Sequence, residues 1–184
     1  MQDSSKSNPT KTQTMKRSGR SLKQRLQDIS YLPSYLSRAR HFRGHGVHSP
    51  YIYSIVRNVF MQKRLYNPLS ALYTALMEGG VAKRRSVQIA NLAEHCNYTT
   101  WSIDSREERE LIIATLHTPY HELEEYATYA REQGATLCIM SPYNNRERWE
   151  ACHKIIDAHP STTVDNRAYL LIFNNHLPKQ RFRL

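Results

Sequence analysis

Residues 111–140 read LIIATLHTPYHELEEYATYAREQGATLCIM and have the pattern of a strand, a helix and a second strand. The two ends, LIIATL and ATLCIM, are apolar runs of the length of a buried strand. Between them, Pro119 suits the start of a helix and Gly134 suits its end. Strands that alternate with helices predict a mainly parallel sheet covered on both faces, which is an α/β fold.

On the C-terminal side, the pattern predicts one more helix and then closely spaced strands. The helix covers residues 145–158. The runs 162–164 and 169–173 are separated by a turn at Asp165–Asn166, which is too short for a helical crossover, so we expect an antiparallel hairpin. A final strand at 181–184 is expected at the sheet edge.

On the N-terminal side, Ser49–Pro50 predicts the start of a helix whose apolar residues continue at helical spacing to Phe60. A second helix is expected from about Leu69 to Glu78, ended by Gly79–Gly80. Val87, Ile89 and Leu92 suggest a short strand, and residues 98–109 suggest a helix.

These patterns divide the chain into a disordered basic tail at 1–20, an N-terminal helical segment at 21–80 and an α/β domain at 81–184. The formal net charge is +10, and residues 1–43 carry ten Lys and Arg against Asp3 and Asp28. A solvated tail explains this charge. Attraction to an anionic membrane surface or to nucleic acid is the alternative. The basic–aromatic composition of residues 16–43 would suit single-stranded nucleic acid, but a helical arm packed on the domain with its arginines outward explains it better.

The cysteines and the hydropathy limit the class of protein. Cys96, Cys138 and Cys152 form no C-x-x-C pair, so we expect reduced thiols rather than a disulfide framework or a zinc site. No run approaches the ~20 apolar residues of a membrane span. The polar, basic N-terminus lacks the apolar stretch of a secretory signal. A cytoplasmic protein is the expectation.

Four segments, in order, resemble one bacterial family of class I S-adenosylmethionine-dependent methyltransferases. HGVHSPYIYSIVRNVF (45–60) resembles its H-G-x-H-S-P-F signature and apolar helix. The family's next helix, first strand and cofactor loop are matched by PLSALYTALM with VQIANLAEHCNYTT. Its fourth and fifth strands are matched by the stretch from LIIATL to ATLCIM. Its closing helix and hairpin are matched by the stretch from RERWEACHK to the C-terminus. The resemblance implies a truncated Rossmann-like sheet with N-terminal helices and a C-terminal antiparallel hairpin.

The same resemblance implies that the cofactor loop has degenerated. The family's acidic residue after the first strand is matched by Asn91, and its loop glycines are matched by Ala93 and Asn97. Glu94 lies in the same loop. A Cβ at either former glycine narrows the space for S-adenosylmethionine.

Two further losses concern the adenosine half of the site and the catalytic acids. About ten residues separate TTW from LIIATL, too few for the family's second and third strands with their helices. The Asp that ends the family's fourth strand is matched by Thr115. The acidic pair that ends the fifth is matched by Ser141–Pro142, and neither replacement takes a proton without an activating base.

Several polar pairs are candidates with simpler explanations. His45 and His48 suit a structural role at the helix start better than a metal site, which would need further ligands. His117 and His121 suit solvated positions at a helix start better than a ligand site. The pair Glu94 and His95 could serve acid–base chemistry, but loop polarity also explains it.

The expected function is therefore a methyltransferase-like pseudoenzyme with a scaffolding, regulatory or vestigial role, and an enzyme is not the favoured interpretation. No catalytic or metal-binding residue is expected, and no cofactor, unless S-adenosylmethionine. The degenerate cofactor positions are Asn91, Ala93, Glu94, Asn97 and Thr115. The alternatives are an active methyltransferase with a remodelled pocket and a basic nucleic-acid-binding module. The surface exposed by the shortened sheet is expected to be covered by the N-terminal helices or by a second copy, and the expected partner is an unknown protein or that second copy.

Overall fold

The computed structural model describes residues 47–175 and 177–184. The expected tail at 1–20, the basic–aromatic stretch at 16–43 and His45 lie outside the described residues. The described part is an α/β structure with five α-helices and a mixed six-stranded sheet.

The α-helices are α1 (Pro50–Ile55), α2 (Ala71–Glu78), α3 (Lys83–His95), α4 (Leu123–Glu132) and α5 (Arg146–Ala158). A π-helical turn, Val56–Phe60, continues α1, and a 3₁₀ turn, Tyr120–Glu122, precedes α4. The strands are β1 (Trp101–Ile103), β2 (Leu111–Ala114), β3 (Thr136–Met140), β4 (Thr163–Asp165), β5 (Tyr169–Ile172) and β6 (Arg181–Arg183).

The sheet has the order β1-β2-β3-β5-β4-β6. Strands β1, β2 and β3 are parallel, and Ile113 of β2 lies opposite both Ile103 and Cys138. Strand β5 runs antiparallel to both β3 and β4, which confirms the expected C-terminal hairpin. Strand β6 lies at the edge parallel to β4, with Phe182 opposite Val164.

Both faces of the sheet are covered by helices. On one face, Leu111 and Ile113 share a core with Ile52 of α1, Leu76 of α2 and Leu92 of α3. On the other face, α4 and α5 form a second core with the alternate residues of the same strands. Strands β2, β3 and β5 are therefore buried along their whole length, which is why they are near-continuous apolar runs.

Helix boundaries follow the capping residues of the sequence. Ser49 accepts a hydrogen bond from the N–H of Ile52, Ser70 caps α2 and Asn145 caps α5. Gly134 follows α4 with a φ of +66°, which confirms it as the residue that ends this helix.

The expected strand at Val87–Leu92 is wrong, because these residues lie inside helix α3. Val87 and Ile89 suit the alternation of a strand, but Ile89, Leu92 and Ala93 also recur at helical spacing. All eight residues from Ser86 to Ala93 are buried. Burial against the sheet and the π-helical turn decides between the two patterns.

The expected helix at 98–109 is also wrong. Its first half contains β1, the edge strand, and no α-helix lies between His95 and Leu123. Thr99, Thr100 and Ile103 are β-branched and favour a strand. Asp104 follows with a φ of +53°, a left-handed conformation that interrupts a helix.

Candidate functional site

The carboxyl ends of β1, β2 and β3 meet at one edge of the sheet, hereafter the carboxyl edge. In open α/β sheets this edge is where ligands bind. Asp104 directly follows β1, Thr115 directly follows β2 and Ser141 directly follows β3. Asp104 and Ser141 both have a positive φ, so the chain turns sharply as it leaves each of these strands.

Asp104 is held by hydrogen bonds from the neighbouring strand end. Its Oδ1 accepts bonds from the backbone N–H of Thr115 at 2.6 Å and from the hydroxyl of Thr118 at 2.5 Å. Its Oδ2 accepts a bond from the hydroxyl of Thr115 at 2.5 Å. This carboxylate is therefore engaged by groups of the chain itself.

Arg148 is a buried guanidinium on α5, with 3% of its surface exposed. Its donors bind only backbone carbonyls, those of Met140 at 3.2 Å, Thr118 at 2.9 Å, Thr115 at 2.8 Å and Ala114 at 3.4 Å. Burial lowers the pKa of Arg148, although the negative charge of Asp104 acts in the opposite direction. The side chain thus joins the ends of β2 and β3 from the face that α5 covers.

The five expected cofactor positions do not form one site. Asn91 is fully buried in α3, where its amide group accepts a bond from the N–H of Tyr66 and donates one to the carbonyl of Arg64. Ala93 is buried in the core. Asn91 and Ala93 therefore belong to the packing between α3 and the segment before α2.

The other expected positions have separate surroundings. Glu94 is exposed and accepts a bond from the side chain of Asn67 at 3.2 Å. Asn97 follows α3 with a φ of +56°, the left-handed turn that Asn tolerates. Thr115 is the only one of the five that lies at the carboxyl edge.

The positions where the resemblance implies a glycine loop lie instead in or just after α3, which has no glycine and is buried from Ser86 to Ala93. Two surface depressions, of about 440 and 200 Å³, lie along α4 and α5, and neither is lined by an expected cofactor position.

His117 and His121 are exposed, in agreement with the expected solvated positions. His48 is exposed as well and makes no hydrogen bond among the described residues, so the structural role expected for it is not seen. His95 lies 3.0 Å from the hydroxyl of Ser54 through Nε2. Within 47–175 and 177–184, no three side chains of the His, Cys, Asp and Glu types converge as a metal site requires.

Cys138 and Cys152 are buried and Cys96 is half-buried, and all three are free thiols, as expected. Burial raises the pKa of Cys152 to about 12 and raises that of Cys138 further, so neither is a thiolate near neutral pH. No helix in the described part of the chain is long and apolar enough to cross a bilayer.

Sequence reasoning assigned no role to Asp104 and missed Arg148. Asp104 could have been recognised as the acid that directly follows the strand-like run TTWSI. The expected helix at 98–109 includes this run, so the signal was overlooked. The signal for Arg148 was its spacing of three, four and seven residues from Ala151, Cys152 and Ile155 of the buried helix face.

No family model, no curated protein and no solved structure matches this chain.

Proposed function

We propose that this chain is a methyltransferase-like domain that does not transfer methyl groups and acts instead by binding, in a scaffolding or regulatory role. The fold would be a truncated Rossmann-like sheet. Support for this relationship comes from the order of elements after residue 110. Strand, helix, strand, helix, hairpin and edge strand occur in the segments where the resemblance places them.

The observation that carries the proposal is the occupation of the carboxyl edge by the chain's own side chains. Arg148 uses donors on the carbonyls at the ends of β2 and β3, and Asp104 accepts three hydrogen bonds from Thr115 and Thr118. A ligand at this edge would have to break hydrogen bonds that these polar groups already make within the chain.

The packing of α3 supports the same conclusion. A cofactor loop needs backbone that a ligand can approach closely, and glycine supplies it. Helix α3 instead buries Asn91 and Ala93 and uses the Asn91 amide to hold the preceding segment. Opening a pocket here would cost both core packing and hydrogen bonds.

The partner is proposed to be another protein or a second copy that adds to an edge of the sheet, and the compartment is proposed to be the cytoplasm. The three free thiols suit a reducing compartment. Strand β1 is an edge strand of only three residues, so such a partner would gain few main-chain hydrogen bonds there.

Isothermal titration of the full chain with S-adenosylmethionine tests the proposal. We expect no saturable heat up to millimolar ligand, and the same for S-adenosylhomocysteine. A thermal shift assay is an independent readout, because a ligand at 100 times its Kd stabilises a protein by about 2.7 kcal/mol. Micromolar binding in either assay would overturn the proposal.

One observation favours the alternative of an active methyltransferase with a remodelled pocket. Asp104 supplies an acid at the end of the first parallel strand, where the resemblance had suggested that only Asn91 remained. If the alternative holds, S-adenosylmethionine binds the native chain and Asp104→Asn abolishes binding while the fold persists. Equal, negligible heats for both proteins are expected under the preferred proposal.

A further inference from the structure

A second polar region lies apart from the hydrogen bonds that Asp104 and Arg148 make at the carboxyl edge. It belongs to helices α1 to α3 and the segments that connect them. From residue 47 to residue 98 the chain has six Lys and Arg and only two acids, Glu78 and Glu94. The six cations are Arg57, Lys63, Arg64, Lys83, Arg84 and Arg85, hereafter the basic surface. Five of them are exposed, and Arg85 is half-buried.

Hydrogen bonds bring these cations together although they are distant in sequence. The segment after the π-helical turn lies along α3, because Gln88 donates to the carbonyl of Phe60 at 2.7 Å and Asn91 donates to that of Arg64 at 2.9 Å. Arg85 in turn donates to Gln88 at 2.8 Å. Lys63 and Arg64 therefore lie beside α3, whose first turn carries Lys83, Arg84 and Arg85, and Arg57 lies on the π-helical turn that precedes them.

The cations of the basic surface are not paired with any acid among the described residues. Within the described ranges, the ion pairs involve Arg106, Arg109, His121, Arg146, Lys154 and Arg181, and none involves the six cations. An unpaired cluster of this kind repels itself and attracts anions.

The first turn of α3 is arranged against its own helix dipole. Lys83, Arg84 and Arg85 occupy the end of the helix that favours negative charge. That turn has no acidic residue, and Ala82 provides no capping side chain. Positive side chains at a helix N-terminus are unfavourable, and this arrangement is expected where a bound anion compensates for their charge.

An aromatic ring borders the same surface. Tyr66 is 46% exposed, its N–H is bound by Asn91 and its hydroxyl donates to the carbonyl of Asn58. The ring is therefore held between α3 and the π-helical turn that contains Arg57, with part of it open to solvent. Fixed aromatic rings beside cations are the stacking platforms of single-stranded nucleic-acid sites.

We propose that the basic surface and Tyr66 bind single-stranded nucleic acid, with phosphates at the cations and a base stacked on Tyr66. Four of the six cations are arginines, which bind phosphate through two donors at once. This interface is distinct from residues 16–43 and does not depend on whether S-adenosylmethionine binds.

Fluorescence anisotropy of the full chain with a labelled single-stranded oligonucleotide tests the proposal. The variant Lys63→Gln, Arg64→Gln, Arg84→Gln removes three cations of the surface. The control Arg131→Gln, Lys154→Gln, Lys179→Gln removes the same charge from the opposite helical layer and the C-terminal segment. We expect the first to weaken binding about tenfold or more and to reduce the salt slope by about two, and the control to change affinity by less than about twofold.

Tyr66 provides the second arm. Tyr66→Ala is expected to weaken binding of the single strand but not of a duplex, whereas Tyr66→Phe retains the ring and binds as the native chain does. Equal weakening by both triple variants would overturn the proposal and assign binding to the overall charge or to residues 1–43. Binding to vesicles of anionic lipid without binding to the oligonucleotide would also overturn it.

Discussion

Arg148 and Arg84 illustrate two uses of the same side chain. Arg148 is buried and bonded to four carbonyls at the carboxyl edge, whereas Arg84 is exposed on the basic surface with no ion pair among the described residues. A cation whose donors are all used inside the fold stabilises it. A cation that is left unpaired against a helix dipole is free to bind another molecule.

The largest expected effect is that of Arg148→Met. The substitution removes the hydrogen bonds that Arg148 donates to the carbonyls of Met140, Thr118 and Thr115, so we expect a loss of about 3 kcal/mol in the free energy of unfolding. Urea denaturation measures it. The matched change Arg84→Met is expected to alter stability by no more than about 0.5 kcal/mol. Similar losses of stability at both positions would show that the buried and the exposed arginine do not differ in what they contribute to the fold.

Asp104→Ala tests the other half of the carboxyl-edge network. It removes the acceptor of the Thr115 N–H and of two hydroxyls, and we expect a loss of about 2 kcal/mol. Asp104→Asn retains one acceptor oxygen and tolerates the positive φ, so a loss below about 1 kcal/mol is expected. If both variants unfold at the same urea concentration as the native chain, the network does not stabilise the sheet edge.

Substitution of His159 tests whether a hydrogen bond to one carbonyl is enough to stabilise the charged form of a buried histidine. Its Nε2 lies 3.0 Å from the carbonyl oxygen of Phe173, yet burial lowers the pKa of His159 below its usual value. The folded state therefore disfavours the charged form. Stability is complete above the unfolded pKa of about 6.5 and is lost as pH falls through the lower folded pKa.

We expect the urea midpoint to fall between pH 7.5 and pH 5, by less than either substitution above lowers it. The variant His159→Gln should show a smaller fall. His153, whose pKa is also lowered, contributes with the same sign and remains in both proteins. An identical pH dependence in the two proteins would contradict the assignment to His159.

The smallest expected effect lies at the start of α3. Lys83→Glu places a negative charge at the helix end that favours it and should raise stability by about 0.5 kcal/mol at low salt. The control Arg131→Glu, in the last turn of α4, should lower stability for the opposite reason. A gain at Lys83 that persists in 1 M salt would exclude the dipole as its cause.

The stretch from Leu111 to Met140 was predictable because two constraints agree in it. Its strands are buried on both faces, so their apolar runs are unbroken, and its helix begins near Pro119 and ends at Gly134. The hairpin was predictable because the three residues between β4 and β5 leave no room for a crossover. Where a local pattern is compatible with only one secondary structure, the sequence alone is enough to predict that structure.

The region from Val87 to Arg109 was not predictable in the same way. Its apolar residues suit either a strand or a helix, and the choice depends on polar groups far away. Gln88 and Asn91 are buried only because the carbonyls of Phe60 and Arg64 lie within reach. Because this segment is a helix and not a strand, three of the expected cofactor positions, Asn91, Ala93 and Glu94, lie in α3, and Asn97 lies just after it.

The amino-acid sequence by itself determined the α/β class, the order of its later elements and the excess of positive charge before residue 98. These properties follow from composition and local periodicity. Only the tertiary structure decided which charges are used inside the fold. Arg148 bonds to carbonyls some 30 residues before it, while Arg84 has no such partner, and a contact at that separation depends on packing of the whole sheet.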